Sequence, residues 1–462
     1  MSIPPPLLHA ISRRDGGAVT LVLGAGCSFE SPTDVPLSGD LSEAVAHLLV
    51  SDGILAADAC ANPRDLTCVA DAVFARYTSQ QELVRRLPLA RMQNATPNEG
   101  YLIAAAMMCE GAVSSVVTLN YDLALSHALA QVGAGELVSV VCAPAEFQRL
   151  GQRNVVYLHG NVTSDSEQWI MRSAQLNEEW QTGWEAIIAA RMLAAPITVF
   201  AGLGSDASVL TSTMGKISDV LGAQGIQPYF VDPQELSVDG IAFKLGITPD
   251  QHMRMGWSRF MQELADRLLE EHSRTLTTAC AHLAETQGLH PEDVGPTIKQ
   301  SRALGFLGLG AARSRWLLGT TPYAPFSQSN PELVADLLLT VASIQRRLSA
   351  DVSFDGSGAV QFSVGDRSVV VALASGRGIE RWASAEAKIR HAYFARTATH
   401  QGLRPRLAIV AGVPGGKPVM APPIDLTGDG ATESIISGAS PLELYDVDEI
   451  RNDDALANRL IA

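Results

Sequence analysis

Five short, β-branched apolar runs in this chain each break off into small or polar residues: AVTLVLG (18–24), VSSVVTLN (113–120), NVVYLHG (154–160), PITVFAGLG (196–204) and IQPYFVD (226–232). They show little polar alternation, which is the pattern of strands covered on both faces, as in parallel sheets. Amphipathic segments at 41–50, 98–110 and 178–194 lie between them. That alternation predicts a doubly wound α/β fold built on a parallel sheet. In such a sheet the ligand crevice lies outside the carboxyl ends of the strands, so the residues just after each run are the candidates for chemistry.

With 462 residues the chain is too long for one ordinary core, and its 47% apolar and 18% charged composition suits globular domains. The segment GWSRFMQELADRLLEEHSRTL puts Trp257, Phe260, Met261, Leu264 and Leu268 on one helical stripe, which predicts a helix closing a first domain, 1–275. A helical linker or assembly region, 276–350, follows. In it Asn330 and Pro331 form an N-cap and first-turn pair, and Leu337, Val341, Ile344 and Leu348 make a stripe that needs a partner surface. From 351 to 462 strand-like runs around one helix predict a small α+β domain. Its last stretch, from Asp425, carries nine acids against Arg451 and Arg459 and reads as a solvated, partly mobile tail.

A net charge of -15 argues against a general polyanion-binding surface, so no strong direct nucleic-acid binding is expected. The six cysteines never form a C-x-x-C pair; neither a zinc ribbon nor a dense disulfide frame is expected, and a reducing cytoplasm fits. No uncharged run reaches the roughly 18 apolar residues of a membrane span, and the N-terminus lacks a sustained apolar signal region. The expectation is a cytoplasmic protein with no membrane partner.

Gly24-Ala25-Gly26-Cys27-Ser28 follows the first run. Two readings stay open for it. Gly-x-Gly after a strand lets a phosphate approach backbone N–H groups, and it equally permits a tight turn that packs a helix on the sheet. The usual dinucleotide fingerprint wants a glycine where this chain has Phe29, which disfavours an ordinary dehydrogenase. Asn120 and Asp122 lie just past the second run, where they can face the same crevice or cap a helix. His159 ends the third run before Gly160, a position that sets it apart from the other nine histidines. Gly202, Gly204 and Ser205 end the fourth run with small residues against which a ribose or phosphate can pack, and Asp232 ends the fifth as a candidate partner for a ribose hydroxyl.

Taken in order, Gly-Ala-Gly-x-Ser, Pro97-Asn98 ahead of a helix, Thr-x-Asn-x-Asp, Leu-His-Gly and Gly-x-Gly-Ser-Asp resemble the sirtuin-like, Rossmann-like NAD-binding domain over about residues 15–270. The resemblance implies that Gly24, Ala25, Gly26 and Ser28 hold the diphosphate of NAD, that Asn120 and Asp122 frame the nicotinamide ribose, and that His159 is the catalytic base. Gly202, Ser205 and Asp232 would face the adenosine half, and Gly204 would belong to the same cofactor-binding set. Sirtuin deacylases carry a zinc module of paired cysteines, which is missing after His159, and Gly-Ile-Pro-Asp-Phe-Arg where this chain has TDVPLSGDL. What remains is similar to the prokaryotic sirtuin-like domains of antiphage systems that hydrolyse NAD.

The expectation is therefore an NAD glycohydrolase with NAD as substrate and no metal. It would be a toxic defence effector, a homo-oligomer, and checked by assembly or by a partner ATPase or nucleic-acid-sensing component. The alternatives are an NAD-dependent protein deacylase and a noncatalytic NAD- or ADP-ribose-binding subunit. FSVGDRSVVVALASG in the last domain has the strand-turn-strand shape of a restriction-endonuclease-like fold with Asp366 as first acid. Ala372 and Ala374 stand where the second acid and the lysine would be, so a degenerate binding or assembly module is expected rather than a nuclease.

Overall fold

A computed structural model describes residues 3–12, 19–175, 195–203, 227–237, 240–287, 294–326, 331–375, 382–393, 407–411 and 442–461. The chain divides into two compact units, Met1–Arg267 and Leu268–Ala462, and the division falls within the helix Trp257–Gln287. Among the described residues no helix is long and apolar enough to cross a membrane.

The first unit is built on a seven-stranded sheet: β1 (Val19–Leu23), β2 (Ser115–Thr118), β3 (Ser139–Val141), β4 (Asn154–Tyr157), β5 (Ile197–Ala201), β6 (Gln227–Val231) and β7 (His252–Met253). Its order is β3-β4-β2-β1-β5-β6-β7, and every pairing is parallel. Every residue of β1, β2, β4 and β5 is buried, which only a sheet covered on both faces allows. Chain order leaves β1 toward β2 and later returns to its other side as β5. The topological switch point therefore lies beside β1.

Five of these strands coincide with the five apolar runs. The other two, β3 and β7, are edge strands of three and two residues, too short to display a period. Helices Ser38–Ser51 and Glu99–Glu110 take up two of the expected amphipathic segments, and the third, 178–194, falls outside the described residues. Helix Glu99–Glu110 starts where the Asn98 side chain accepts from the Tyr101 N–H at 3.1 Å, and it ends on Gly111 in the left-handed conformation.

The glycines after β1 have a structural task. A Cβ on Gly24 would stand 2.5 Å from the Gly202 carbonyl oxygen, and one on Gly26 would stand 2.7 Å from Gly202 Cα. Gly202 itself has φ +68°, and a Cβ there would meet the Cys27 nitrogen at 2.5 Å. Gly24 N–H donates to Ala201 O (2.9 Å), Gly26 N–H to Gly202 O (2.9 Å) and Cys27 N–H to Gly24 O (3.0 Å). The close approach that excludes larger side chains is thus between two backbone turns of the protein itself. Of the two readings left open for this motif, the tight turn is the one these contacts show, and the N–H of Gly26 is already in use.

The second unit carries a mixed sheet of β8 (Asp351–Phe354), β9 (Val360–Val364), β10 (Arg367–Ser375), β11 (Leu407–Ala411) and β12 (Glu443–Asp446). β8, β9 and β10 pair antiparallel, while β10, β11 and β12 pair parallel. The helix Pro331–Leu348 buries Leu337, Val341 and Ile344 in the same core as Val360, Phe362 and Val371. The expected helical stretch 276–350 and the strands after 351 accordingly share one core; Asn330 lies outside the described residues. Ala372 and Ala374 are fully buried in β10, and Asp366 sits exposed in the turn between β9 and β10.

The acidic C-terminal stretch is not simply a solvated tail: residues 443–446 form β12 and are followed by helices Val447–Asn452 and Asp454–Arg459. Its acids hid an apolar set, Leu442, Leu444, Tyr445, Val447, Ile450 and Leu460, that is buried in the core.

The crossing of the two glycine turns yields a test. Gly202→Ala forces alanine into a left-handed conformation and against the Cys27 amide, so it is expected to cost about 2–5 kcal/mol of stability. Urea unfolding of variant and wild type measures the difference.

Candidate active site

Register brings the chemistry-bearing residues to one edge of the sheet. Tyr157, Thr118, Leu23, Ala201 and Val231 are aligned across β4, β2, β1, β5 and β6. The hydrogen bonds Leu158 N to Thr118 O, Leu119 N to Leu23 O and Gly24 N to Ala201 O carry the ladder one residue further. His159, Asn120, Gly24, Gly202 and Asp232 therefore emerge side by side at the carboxyl ends of five adjacent strands. From β4 to β6 is four strand intervals, about 19 Å at the usual spacing.

All five line one cavity of about 800 Å³, together with Ala25, Gly26, Ser28 and Asp122. That volume is within the roughly 300–1,000 Å³ typical of small-molecule sites. Gly204 and Ser205 lie outside the described residues.

Beneath the cavity a buried hydrogen-bond cluster ties three elements together. Ser28 Oγ donates to Asp122 Oδ2 at 2.7 Å and lies 2.7 Å from the Tyr101 hydroxyl. Asn120 Nδ2 donates to Gly24 O (2.9 Å), Ser28 Oγ (3.0 Å) and Tyr101 Oη (3.1 Å). Asp122 Oδ1 accepts from the Ala124 N–H at 3.0 Å, at the start of helix Ala124–Val132. Burial raises the Asp122 carboxyl above its ordinary value, while the bond from Ser28 opposes the shift.

Ser28 and Asp122 are thus occupied with holding the site together. The amide nitrogen of Asn120 is committed to the same cluster, which leaves its carbonyl oxygen as the atom with which it can receive a donor from the cavity. Asp232 lines the other end, with Oδ1 accepting from the Gln234 N–H at 2.7 Å.

His159 differs from its neighbours. Its ring lines the cavity, yet Nε2 is buried without a hydrogen-bond partner. Burial alone pulls the imidazole down from 6.5 to about 4, so it is neutral at physiological pH. Leaving a buried polar atom unpaired costs about 1–3 kcal/mol, which a hydroxyl or water brought in by a ligand would recover. Trp257 Nε1 is also buried and unpaired, but it packs on Gly100, where a Cβ would come within 2.3 Å of it. Cys27, fully buried beside the cavity, has its thiol pushed well above the usual range by burial and is no nucleophile at neutral pH.

Three contributors carried no assigned role in the sequence reading. Tyr101 is the only aromatic residue in helix Glu99–Glu110, and a buried tyrosine hydroxyl needs a partner, which is the signal that would have found it. Glu30 accepts from the N–H groups of Trp257 (2.7 Å) and Ser258 (2.9 Å), a carboxylate at the start of helix Trp257–Gln287. Cys60 and Cys68 form a disulfide, with Cα atoms 5.8 Å apart, that closes a loop on the cavity wall. No pairing was read from the cysteine spacing. Among the described residues no group of three or more His, Cys, Asp or Glu side chains could hold a metal ion.

No protein-family model matches the chain, and no curated protein does. Solved structures to which it is similar include a mutant Sir2 homologue in complex with ADP-ribose, 17% identical over 58% of this chain and 97% of that one, TM-score 0.35. Another is a Sir2 homologue in complex with NAD, 15% identical over 58% of this chain and 94% of that one, TM-score 0.35.

The depressed His159 imidazole gives stability a pH dependence of definite sign. Between 6.5 and about 4 the unfolded chain binds the proton and the folded chain does not, so this group's contribution is full above 6.5 and declines as pH falls toward 4. Urea unfolding across that window should show a shallower decline in His159→Asn than in wild type. Parallel curves would mean that the imidazole is not desolvated.

Proposed function

We propose that the protein is an NAD glycohydrolase, cleaving NAD with water to nicotinamide and ADP-ribose. The observation that carries the reading is the convergence, on one cavity, of a neutral imidazole with an unpartnered nitrogen, an amide oxygen one strand away, and Gly202 and Asp232 beyond. The ordered motifs quoted above support NAD as the occupant.

In this reading the nicotinamide ribose lies over β2 and β4, and the adenosine half lies toward β5 and β6. The bond from C1 of the ribose to the ring nitrogen breaks with its electron pair passing to the already cationic nicotinamide, which leaves neutral. Neither a metal nor a general acid is required for that departure. The sugar left behind has oxocarbenium character, and water adds at C1. Asn120 Oδ1 accepts one hydrogen of that water and so orients it, while His159 takes the proton released as the new C–O bond forms.

The same residues would serve an NAD-dependent deacylase, with a ribose hydroxyl in place of the water. Phe29 and Leu37, exposed apolar side chains on the cavity wall, favour this second reading because they could receive an acyl chain. The missing paired cysteines and Asp-Phe-Arg favour hydrolysis. A noncatalytic NAD- or ADP-ribose-binding subunit is the remaining alternative. By the same resemblance to antiphage domains, we infer a toxic effector that works as a homo-oligomer. It would be restrained by its assembly or by a partner ATPase or nucleic-acid-sensing component.

The test follows nicotinamide release from NAD with and without an acetylated peptide. Release without peptide is expected, and His159→Ala and Asn120→Ala should each lower kcat about 10²- to 10⁴-fold. Release that requires the peptide would establish the deacylase instead. Because His159 is depressed to about 4, the acid limb of kcat/KM should break near that pH rather than near 6.5. Full activity in both variants would exclude this site.

A further inference from the structure

The cavity is poor in positive charge. Among the described residues its carboxylates are Glu30, Asp65, Asp122 and Asp232, and its one cation is Arg64. The carboxylates are committed: Glu30 and Asp122 as described, Asp65 to the Thr67 N–H at 3.0 Å and Asp232 to that of Gln234. Of the amides in the glycine turn that a phosphate could use, those of Gly24, Gly26 and Cys27 donate to protein carbonyls, which leaves fewer for an anion. A dinucleotide brings two phosphate charges into this setting, and enclosing them unpaired is strongly unfavourable.

Arg64 stands on the segment between helices Ser38–Ser51 and Leu66–Tyr77, which the Cys60–Cys68 disulfide closes into a short loop. This loop puts Asn62, Arg64 and Asp65 on the cavity wall. The guanidinium is bonded to Asp40 at 2.5 Å and Glu43 at 2.7 Å, with all three side chains 40–55% exposed. Exposed pairs of this kind contribute little, so turning the guanidinium inward sacrifices little. A charge-assisted contact with a phosphate in a partly enclosed cavity is stronger and can be bidentate.

We propose that Arg64 is the residue that neutralises the diphosphate of the substrate, leaving Asp40 and Glu43 when a dinucleotide enters. The assignment rests on the reading of the cavity as an NAD site. It differs from what the glycine motif implies, because a side chain from a separate, disulfide-closed loop takes up the charge that backbone amides alone would otherwise have to meet. The covalent closure shortens the excursions of the loop and so keeps the cation at the wall.

Calorimetric titration of the full chain with ADP-ribose tests this. Arg64→Gln is expected to weaken binding about tenfold or more, the usual scale for losing a hydrogen bond to a charged group. Arg64→Lys, which keeps the charge but not the fork, should recover part of that loss and fall between wild type and Arg64→Gln. Equal affinity in wild type and Arg64→Gln would overturn the assignment while leaving the NAD reading intact. Equal losses in Gln and Lys would also overturn it, since they would mark Arg64 as wall packing rather than charge. Wild type that fails to bind ADP-ribose would overturn both.

Discussion

The first unit depends on a backbone crossing in which no side chain takes part. Gly24 and Gly26, after the central strand, pass so close to Gly202, after its neighbour, that a methyl group at any of the three would overlap main-chain atoms. The contact binds β1 to β5 beyond the last residues of the strands and brings the short helix Ala25–Phe29 down beside the end of β2. Ser28 can reach Asn120, Asp122 and Tyr101 only because of this. A sheet supplies parallel strand ends about 4.8 Å apart, but it does not by itself turn side chains from three elements toward one point. The glycine crossing does so, at the cost of the conformational freedom that glycine loses on folding.

From that cluster follows an electrostatic division within the cavity. Asp122, Glu30 and Asp232 each accept from N–H or O–H donors of the protein. Asn120 is turned by three acceptors so that its amide nitrogen faces inward. His159 is buried to a similar degree but receives none of this support at Nε2, and its neutral form is the consequence. Partnered and unpartnered groups sit within one strand interval of each other. Such a contrast is what a proton-transferring site requires, because a base must be desolvated enough to act and its neighbours rigid enough not to compete.

Much of this was legible in the residues, and the failures share a physical cause. Doubly covered strands leave continuous apolar runs, so β1, β2, β4, β5 and β6 could be read, and the strand-end rule then selected Asn120, His159, Gly202 and Asp232. β3 and β7 are too short for any pattern. The glycines mark where the backbone is approached closely, but sequence does not report by what. In the acidic C-terminal stretch charge counts conceal Leu444, Val447 and Ile450 among the acids, and burial is decided by those few apolar faces. The Cys60–Cys68 pair depends on how a loop folds back, which spacing alone does not encode.

Arg64 is where the two kinds of information meet. In sequence it is one arginine in a loop with no periodicity, and no local motif distinguishes it. In the structure it is the one cation on the cavity wall among the described residues, in a cavity whose acids Asp65 and Asp232 accept hydrogen bonds from the protein. A cavity with fixed acids can accept an anionic ligand only if some positive group is free to respond, and exposed ion pairs are the cheapest to exchange. That constraint separates the two ends of the site. In the proposed reading the end at β2 and β4 would act through geometry frozen into the buried cluster, whereas the charge of the ligand would be met by a surface side chain that changes partners. Affinity for the anion and competence for bond cleavage would then rest on different residues, the one set by loop and salt, the other by burial.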